Sequence, residues 1–219
     1  MDRGTLIALE GVDGCGKSTQ ARMLAAALQA RGLEVVLTGE PTDGPLGRPL
    51  KDYLKGPGRD LSPEEELDLF MADRREHVEQ VINPALAAGK VVISDRYYYS
   101  SVAYQGALGL APARILAANE AFAPRPDLAF LLTLPVAAAL KRLGRSRGRP
   151  RQVTEDPAYL ERVAALYATL TGPRVRAVDA SGSREQTHAV ILRQVLEILE
   201  KRKIGKDPAA GPGKRRGAP

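Results

Sequence analysis

The chain has 219 residues, 44% of them hydrophobic and 26% charged, which suffices for one sizeable core and is too short for two comfortable domains. No apolar run approaches the roughly 20 residues that span a bilayer. The first residues lack the basic start and apolar stretch of a secretory leader, and the only cysteine is Cys15, so a cytoplasmic setting without an intrachain disulfide is expected. The net charge of +6 suggests nucleic acid, yet residues 201–219 hold seven Lys or Arg against one Asp. That surplus equals the whole net charge, so no basic stripe crosses the fold, and nucleic acid is expected to bind at most weakly, through this tail.

In chain order, Thr5–Leu9 reads as a buried strand ending at Glu10, followed by a glycine-rich turn, Gly11–Gly16. From Ser18 to Ala30, apolar Met23, Leu24, Ala27 and Leu28 have helical spacing, and Gly32 is placed to stop that helix. Residues 33–38 form a second strand candidate and 39–47 a Gly/Pro loop. Ser62-Pro63 followed by Glu64, Glu65 and Glu66 predicts a helix start, with the helix running towards Ala88 and bent before Pro84. Strands follow at 91–94, 128–134 and 175–178, and helices at 136–143, from Asp156-Pro157 to about Thr171, and from Ser183 to about Lys201. Residues 204–219 have almost nothing apolar and are expected to be disordered. Short apolar strands alternating with helices predict an α/β fold, a doubly wound parallel five-stranded sheet with helices on both faces. The domain is expected to span 1–203.

Gly11-Val12-Asp13-Gly14-Cys15-Gly16-Lys17-Ser18 matches the P-loop pattern and sits between a strand and a helix, as that motif requires. Glycines let backbone N–H groups turn inward around phosphate oxygens, and the helix N-terminus faces the anion. Lys17 is expected on the terminal phosphates of ATP, the Ser18 hydroxyl on Mg²⁺, and Thr19 beside them. Asp95, at the end of an apolar strand, is the candidate second Mg²⁺ residue.

Asp95-Arg96-Tyr97 followed by Ser100-Ser101-Val102-Ala103-Tyr104-Gln105-Gly106 resembles the thymidylate kinase signature. Gly11-Val12-Asp13, Glu40-Pro41, the run Leu69-Phe70-Met71-Ala72-Asp73-Arg74 and Val178-Asp179-Ala180 keep the same order as that family. The resemblance covers roughly residues 5–200. It implies a P-loop kinase that moves the γ-phosphate of ATP to dTMP, with Mg²⁺ as cofactor and a homodimeric assembly.

The resemblance places Phe70 on the thymine ring and Arg74, one turn on, at the thymine O4. An arginine there rejects cytosine, whose amino group would face donors. Arg96 is expected on the acceptor phosphate, where its fork suits two oxygens, with Asp13 nearby. Glu40, Pro41, Ser101, Tyr104 and Gln105 are expected around the substrate, although Tyr104 and Gln105 read equally as ordinary helix residues.

The segment 143–153 is implied to be a lid, with Arg142 on adenine and one arginine reaching the transferred phosphoryl group. Arg145, Arg147, Arg149 and Arg151 all compete for that role; Arg151 holds the family register, and Arg147 is the other candidate carried. Some family members place this arginine within the P-loop, where this chain has Gly14. The chain departs from the family at Gly39, where an arginine is frequent, and at Val153, where a glutamate is frequent. A kinase for UMP or dUMP is the nearest alternative. A P-loop ATPase switch is the more distant one, since the Asn-Lys-x-Asp and Asp-x-x-Gly patterns of GTPases are absent.

Overall fold

Every residue of β1 (Thr5–Glu10) is buried, as befits a strand covered on both faces. Its side chains alternate between two cores. Ile7 and Leu9 point to one, with Leu24 and Leu28 of α1 (Lys17–Gln29), Leu160 and Val163 of α8 (Pro157–Thr169), and Ile191 and Val195 of α9 (Arg184–Ile204). Leu6 and Ala8 point to the other, with Val78, Ile82, Leu86 and Tyr97. The computed structural model describes residues 3–56, 60–147 and 156–204, side chains of 145–147 and 202–204 excepted.

The strands β2 (Val35–Gly39), β3 (Val91–Asp95), β4 (Leu128–Thr133) and β5 (Val175–Asp179) join β1 in one sheet of order β2-β3-β1-β4-β5. All four pairings are parallel, so the expected doubly wound, five-stranded sheet is the one observed. Asp95 pairs with Leu9 on one side and Gly39 on the other. That register brings the loops after β1, β2 and β3 together at the carboxyl ends of the strands, where open α/β sheets bind ligands.

The helix foreseen from Ser62 is α3 (Pro63–His77), opened by a complete capping box between Ser62 and Glu65. It continues through a π-helical turn, Val78–Ile82, into α4 (Asn83–Ala87). Pro84 has no N–H and crowds the carbonyl four residues back, and the wider turn just before it absorbs that mismatch. Three helices were not expected from the sequence: α2 (Gly47–Lys55), α5 (Tyr98–Tyr104) and α6 (Pro112–Glu120). The helix expected over 136–143 is α7 (Val136–Arg147), four residues longer. The remainder of the expected lid, 148–153, and residues 205–219 lie outside the described residues.

Candidate active site

The loop from β1 to α1 turns at Gly11, Gly14 and Gly16, all with positive φ. At Gly14 a Cβ would stand 2.3 Å from the Ala139 carbonyl oxygen and 2.9 Å from Leu143 Cγ. Helix α7 therefore packs directly on the loop backbone, and no arginine fits at this position. The Lys17 ammonium donates to the carbonyls of Gly11 (2.9 Å) and Val12 (3.0 Å). Val12 and Cys15 are buried, and the Cys15 thiol packs into the core, so Cys15 contributes backbone to the cradle.

The Ser18 hydroxyl donates to Asp95 Oδ2 across the cleft. Asp95 Oδ1 is buried without a hydrogen-bond partner among the described residues. Two hard oxygen groups facing phosphate-binding backbone, one with a spare carboxylate oxygen, form a donor set that fits Mg²⁺.

Arg96 follows Asp95 in a left-handed conformation (φ 71°), rare for a residue with a side chain. Its backbone is pinned on three sides. The Arg96 N–H donates to Leu9 O (2.9 Å), Ser94 Oγ donates to Arg96 O (2.6 Å), and the next N–H, of Tyr97, donates to Glu10 Oε1 (2.9 Å). The guanidinium reaches Asp13 (2.6 Å), Ser100 Oγ (3.1 Å) and the Tyr104 hydroxyl (3.4 Å), and lies 5.1 Å from the Tyr104 ring centroid. Asp13 of the P-loop thus meets Arg96 and Tyr104 of the stretch after β3.

Glu10 was not foreseen as a site residue. It is fully buried and holds Tyr97, Ser100 and Tyr167. Burial pushes its carboxyl from 4.5 up to about 7, against the downward pull of the Ser100 hydrogen bond and the Arg96 charge. A carboxyl raised by folding stabilises the protein below its unfolded pKa, and that contribution is lost as pH rises through the folded value. Wild-type stability relative to Glu10→Gln should therefore fall by about 3 kcal/mol between pH 4.5 and 7. Urea midpoints of both proteins across this range check it; a constant difference contradicts it.

On the other side of Arg96 lies a buried polar cluster around Arg74, which is 1% exposed. Glu40 Oε2 accepts from Arg74 Nε (2.8 Å) and forms an ion pair with Nη2, 2.7 Å away. Nη1 donates to Asn119 Oδ1 (2.6 Å), and both terminal nitrogens donate to Ser101 Oγ (3.2 and 3.1 Å). Burial works to raise the Glu40 carboxyl, but the Arg74 charge and the His77 hydrogen bond outweigh it and hold it below the usual range. His77 Nδ1 lies 3.0 Å from Glu40 Oε1 and Nε2 lies 2.7 Å from Thr38 Oγ1. Asp73 anchors the loop after Pro41 by accepting from the Thr42 N–H (3.0 Å) and hydroxyl (2.5 Å). Gln105 donates to Glu66 (2.7 Å) while its Oε1 is buried without a hydrogen-bond partner among the described residues.

Phe70 lies one turn before Arg74 on α3, half-buried and outside both core clusters. Asn119, His77, Asp73 and Glu66 escaped the sequence reading. A buried carboxylate or amide on a helix carries no signal that separates it from one in solvent. At Gly39 a Cβ would stand 2.8 Å from Asp95 O, so the arginine frequent in the family does not fit here without movement of β3.

The P-loop, Asp95, Arg96, Arg142 and Arg184 line one cavity of about 510 Å³. Arg142 donates to Ala180 O (2.9 Å), which ties α7 to the loop before α9. Arg145 and Arg147 lie in the last turn of α7 with side chains outside the described atoms, and Arg149 and Arg151 lie outside the described residues.

A phosphate loop and an arginine-lined cleft share the strand ends of a P-loop NTPase fold, and the class so defined is a P-loop nucleotide phosphotransferase. The thymidylate kinase family model matches residues 9–191. Thymidylate kinase of Desulfotalea psychrophila is 45% identical over 197 residues, covering 90% of this chain and 96% of the relative. That of Xanthomonas campestris pv. campestris is 48% identical over 200 residues, covering 90% and 86%, and that of Xylella fastidiosa is 45% identical over 199 residues, covering 91% and 90%. The chain belongs to the thymidylate kinase family.

Proposed function

We propose that Lys17, Arg96, Arg74 and an arginine of the 143–153 segment perform this family's reaction, the transfer of the γ-phosphate of ATP to dTMP to give dTDP and ADP. As a family member the chain is an ATP-dependent dTMP kinase. The observation that most supports these roles is the position of Arg96, whose fork spans Asp13 of the P-loop and Ser100 of α5. A phosphate held there stands beside the γ-phosphate site.

The nucleophile is an oxygen of the dTMP phosphate. Its second pKa is about 6, so it is largely dianionic at neutral pH and needs no general base. His77 and His188 accordingly have no part in the chemistry. Catalysis is alignment and charge neutralisation of a loose transition state. Lys17 exchanges the carbonyls of Gly11 and Val12 for phosphate oxygens, and Arg96 holds the acceptor phosphate in line. Arg151 or Arg147 neutralises the transferred group from the lid, and Arg142 packs on adenine. Ser18 and Asp95 would hold Mg²⁺, which supplies charge neutralisation at the β- and γ-phosphates.

Thymine stacks on Phe70 and takes hydrogen bonds from Arg74 at O4, displacing part of the share now held by Ser101. Pro41, Tyr104 and Gln105 enclose the sugar and base, and Glu40 acts through Arg74. The kinase domain is 1–203, the assembly a homodimer and the compartment the cytoplasm. No helix among the described residues is long and apolar enough to cross a membrane.

The acceptor test is ADP release from ATP and Mg²⁺ with dTMP, dUMP, UMP, dCMP, AMP or no acceptor. Strong stimulation by dTMP, weaker by dUMP and almost none by the rest is expected. Preference for another monophosphate would overturn the assignment of Phe70 and Arg74.

A further inference from the structure

Arg96 touches phosphate in the reading above, and this inference rests on that role. The guanidinium is aimed by a buried hydrogen-bond chain that starts at the last residue of β1. Ser100 Oγ receives Arg96 Nη1 at 3.1 Å, sits 2.9 Å from the Tyr167 hydroxyl and 2.6 Å from Glu10 Oε2. A hydroxyl has one hydrogen and two lone pairs. Arg96 has only hydrogens to offer, and Glu10 once ionised, above about pH 7, only lone pairs. The serine hydrogen therefore goes to Glu10, one lone pair goes to Arg96, and the other faces Tyr167, whose one hydrogen is shared between Ser100 Oγ (2.9 Å) and Glu10 Oε2 (3.3 Å). Burial and the nearby Glu10 charge keep the Tyr167 hydroxyl protonated, as the donor this arrangement requires. All three valences of Ser100 are used, and their direction is set by Glu10.

The second Glu10 oxygen does the same for the main chain. It accepts the Tyr97 N–H at 2.9 Å, the peptide that leaves Arg96 in its left-handed conformation. Such a conformation is disfavoured for a residue with a side chain and persists only where the surroundings impose it. One carboxylate thus fixes both the backbone under Arg96 and the serine beside its fork.

We propose that Glu10, acting through Ser100 and the Tyr97 peptide, is the positioning residue that aims Arg96 at the acceptor phosphate. Glutamine is the sharpest probe because it keeps size and removes one acceptor. With its NH₂ towards Ser100, the serine hydrogen can pass only to the Tyr167 hydroxyl, whose own hydrogen then has neither Ser100 nor residue 10 to receive it. With its NH₂ towards Tyr97, two N–H groups face each other. Neither orientation of the amide satisfies Ser100, Tyr97 and Tyr167 together.

The effect should appear on the phosphate of the ligand and not on its base. Calorimetric titration with dTMP and with thymidine gives an affinity ratio that reports the phosphate contact alone. In Glu10→Gln and in Ser100→Ala this ratio is expected to shrink by about tenfold, while thymidine affinity stays within about twofold. Tyr167→Phe disturbs the same cluster but leaves the path from Glu10 to Arg96 intact, and should keep the wild-type ratio. If Glu10→Gln does not fold, Ser100→Ala carries the test. Equal loss of both ligands in these variants, or loss of the ratio in Tyr167→Phe, would mean general damage to the core and overturn the proposal. Arg96→Met separates the two levels. If it collapses the ratio while Glu10→Gln and Ser100→Ala retain it, the positioning role is wrong and the phosphate role of Arg96 stands. If Arg96→Met itself keeps the ratio, both are wrong.

Discussion

Lys17→Ala should lower kcat by at least about 10²–10³-fold and leave the protein folded. The Lys17 ammonium is buried, yet its partners among the described residues are two carbonyls of its own loop and, at 4.0 Å, the Cys15 sulfur. None belongs to a distant element, so removing the side chain disturbs only the turn. Leaving two carbonyls without this donor costs on the order of 1–3 kcal/mol. Turnover, in contrast, loses the only lysine in the cradle, a charge that becomes most valuable as the γ-phosphate separates from ADP. A coupled ADP assay and a thermal melt measure the two effects independently. Near-normal turnover would remove Lys17 from the mechanism.

Glu40→Ala should damage both stability and acceptor choice. Among the described residues Glu40 is the sole carboxylate on buried Arg74, and it also holds His77. Breaking a buried pair by removing one partner leaves an uncompensated charge and costs about 3–5 kcal/mol. Arg74 would keep Ser101 and Asn119, neither of them charged. Its fork would then be free to turn, and discrimination of dTMP from dCMP should fall by about tenfold or more, since it depends on where the donors point. Urea denaturation reads the first effect and the ratio of kcat/KM for the two acceptors reads the second. A variant as stable as wild type would show that Glu40 and Arg74 are not a working pair.

The parts of this site that were legible in the sequence are those with obligatory local chemistry. The glycines at 11, 14 and 16, Lys17 and Ser18 have fixed spacing because one loop must wrap one phosphate chain. The start of α3 was legible because Ser62, Pro63 and Glu65 each satisfy a helix terminus in a known way. Helix α5 was missed because Tyr98 and the whole run Ser100–Tyr104 are buried. A segment packed on all sides has no polar face, and aromatic and β-branched residues argue against a helix until tertiary contacts decide. Helix α6 offered Pro112 at its first turn, with Ile115 and Asn119 buried four apart, a signal short enough to pass as loop. Glu10 and Glu40 show the other limit. Both end or follow strands, where a carboxylate usually meets solvent; only the register of β1, β2 and β3 turns them inward on Arg96 and Arg74.

In the proposed mechanism phosphate passes directly from ATP to dTMP under the control of Arg96. The measurement that tests it most directly is a single turnover with ATP labelled at the γ-phosphate and excess dTMP, comparing wild type with Arg96→Met. Label appearing in dTDP with almost none as inorganic phosphate, and transfer slowed by about 10²-fold or more in the variant, is the predicted result. Label released chiefly as inorganic phosphate, or transferred equally fast without Arg96, would contradict the account.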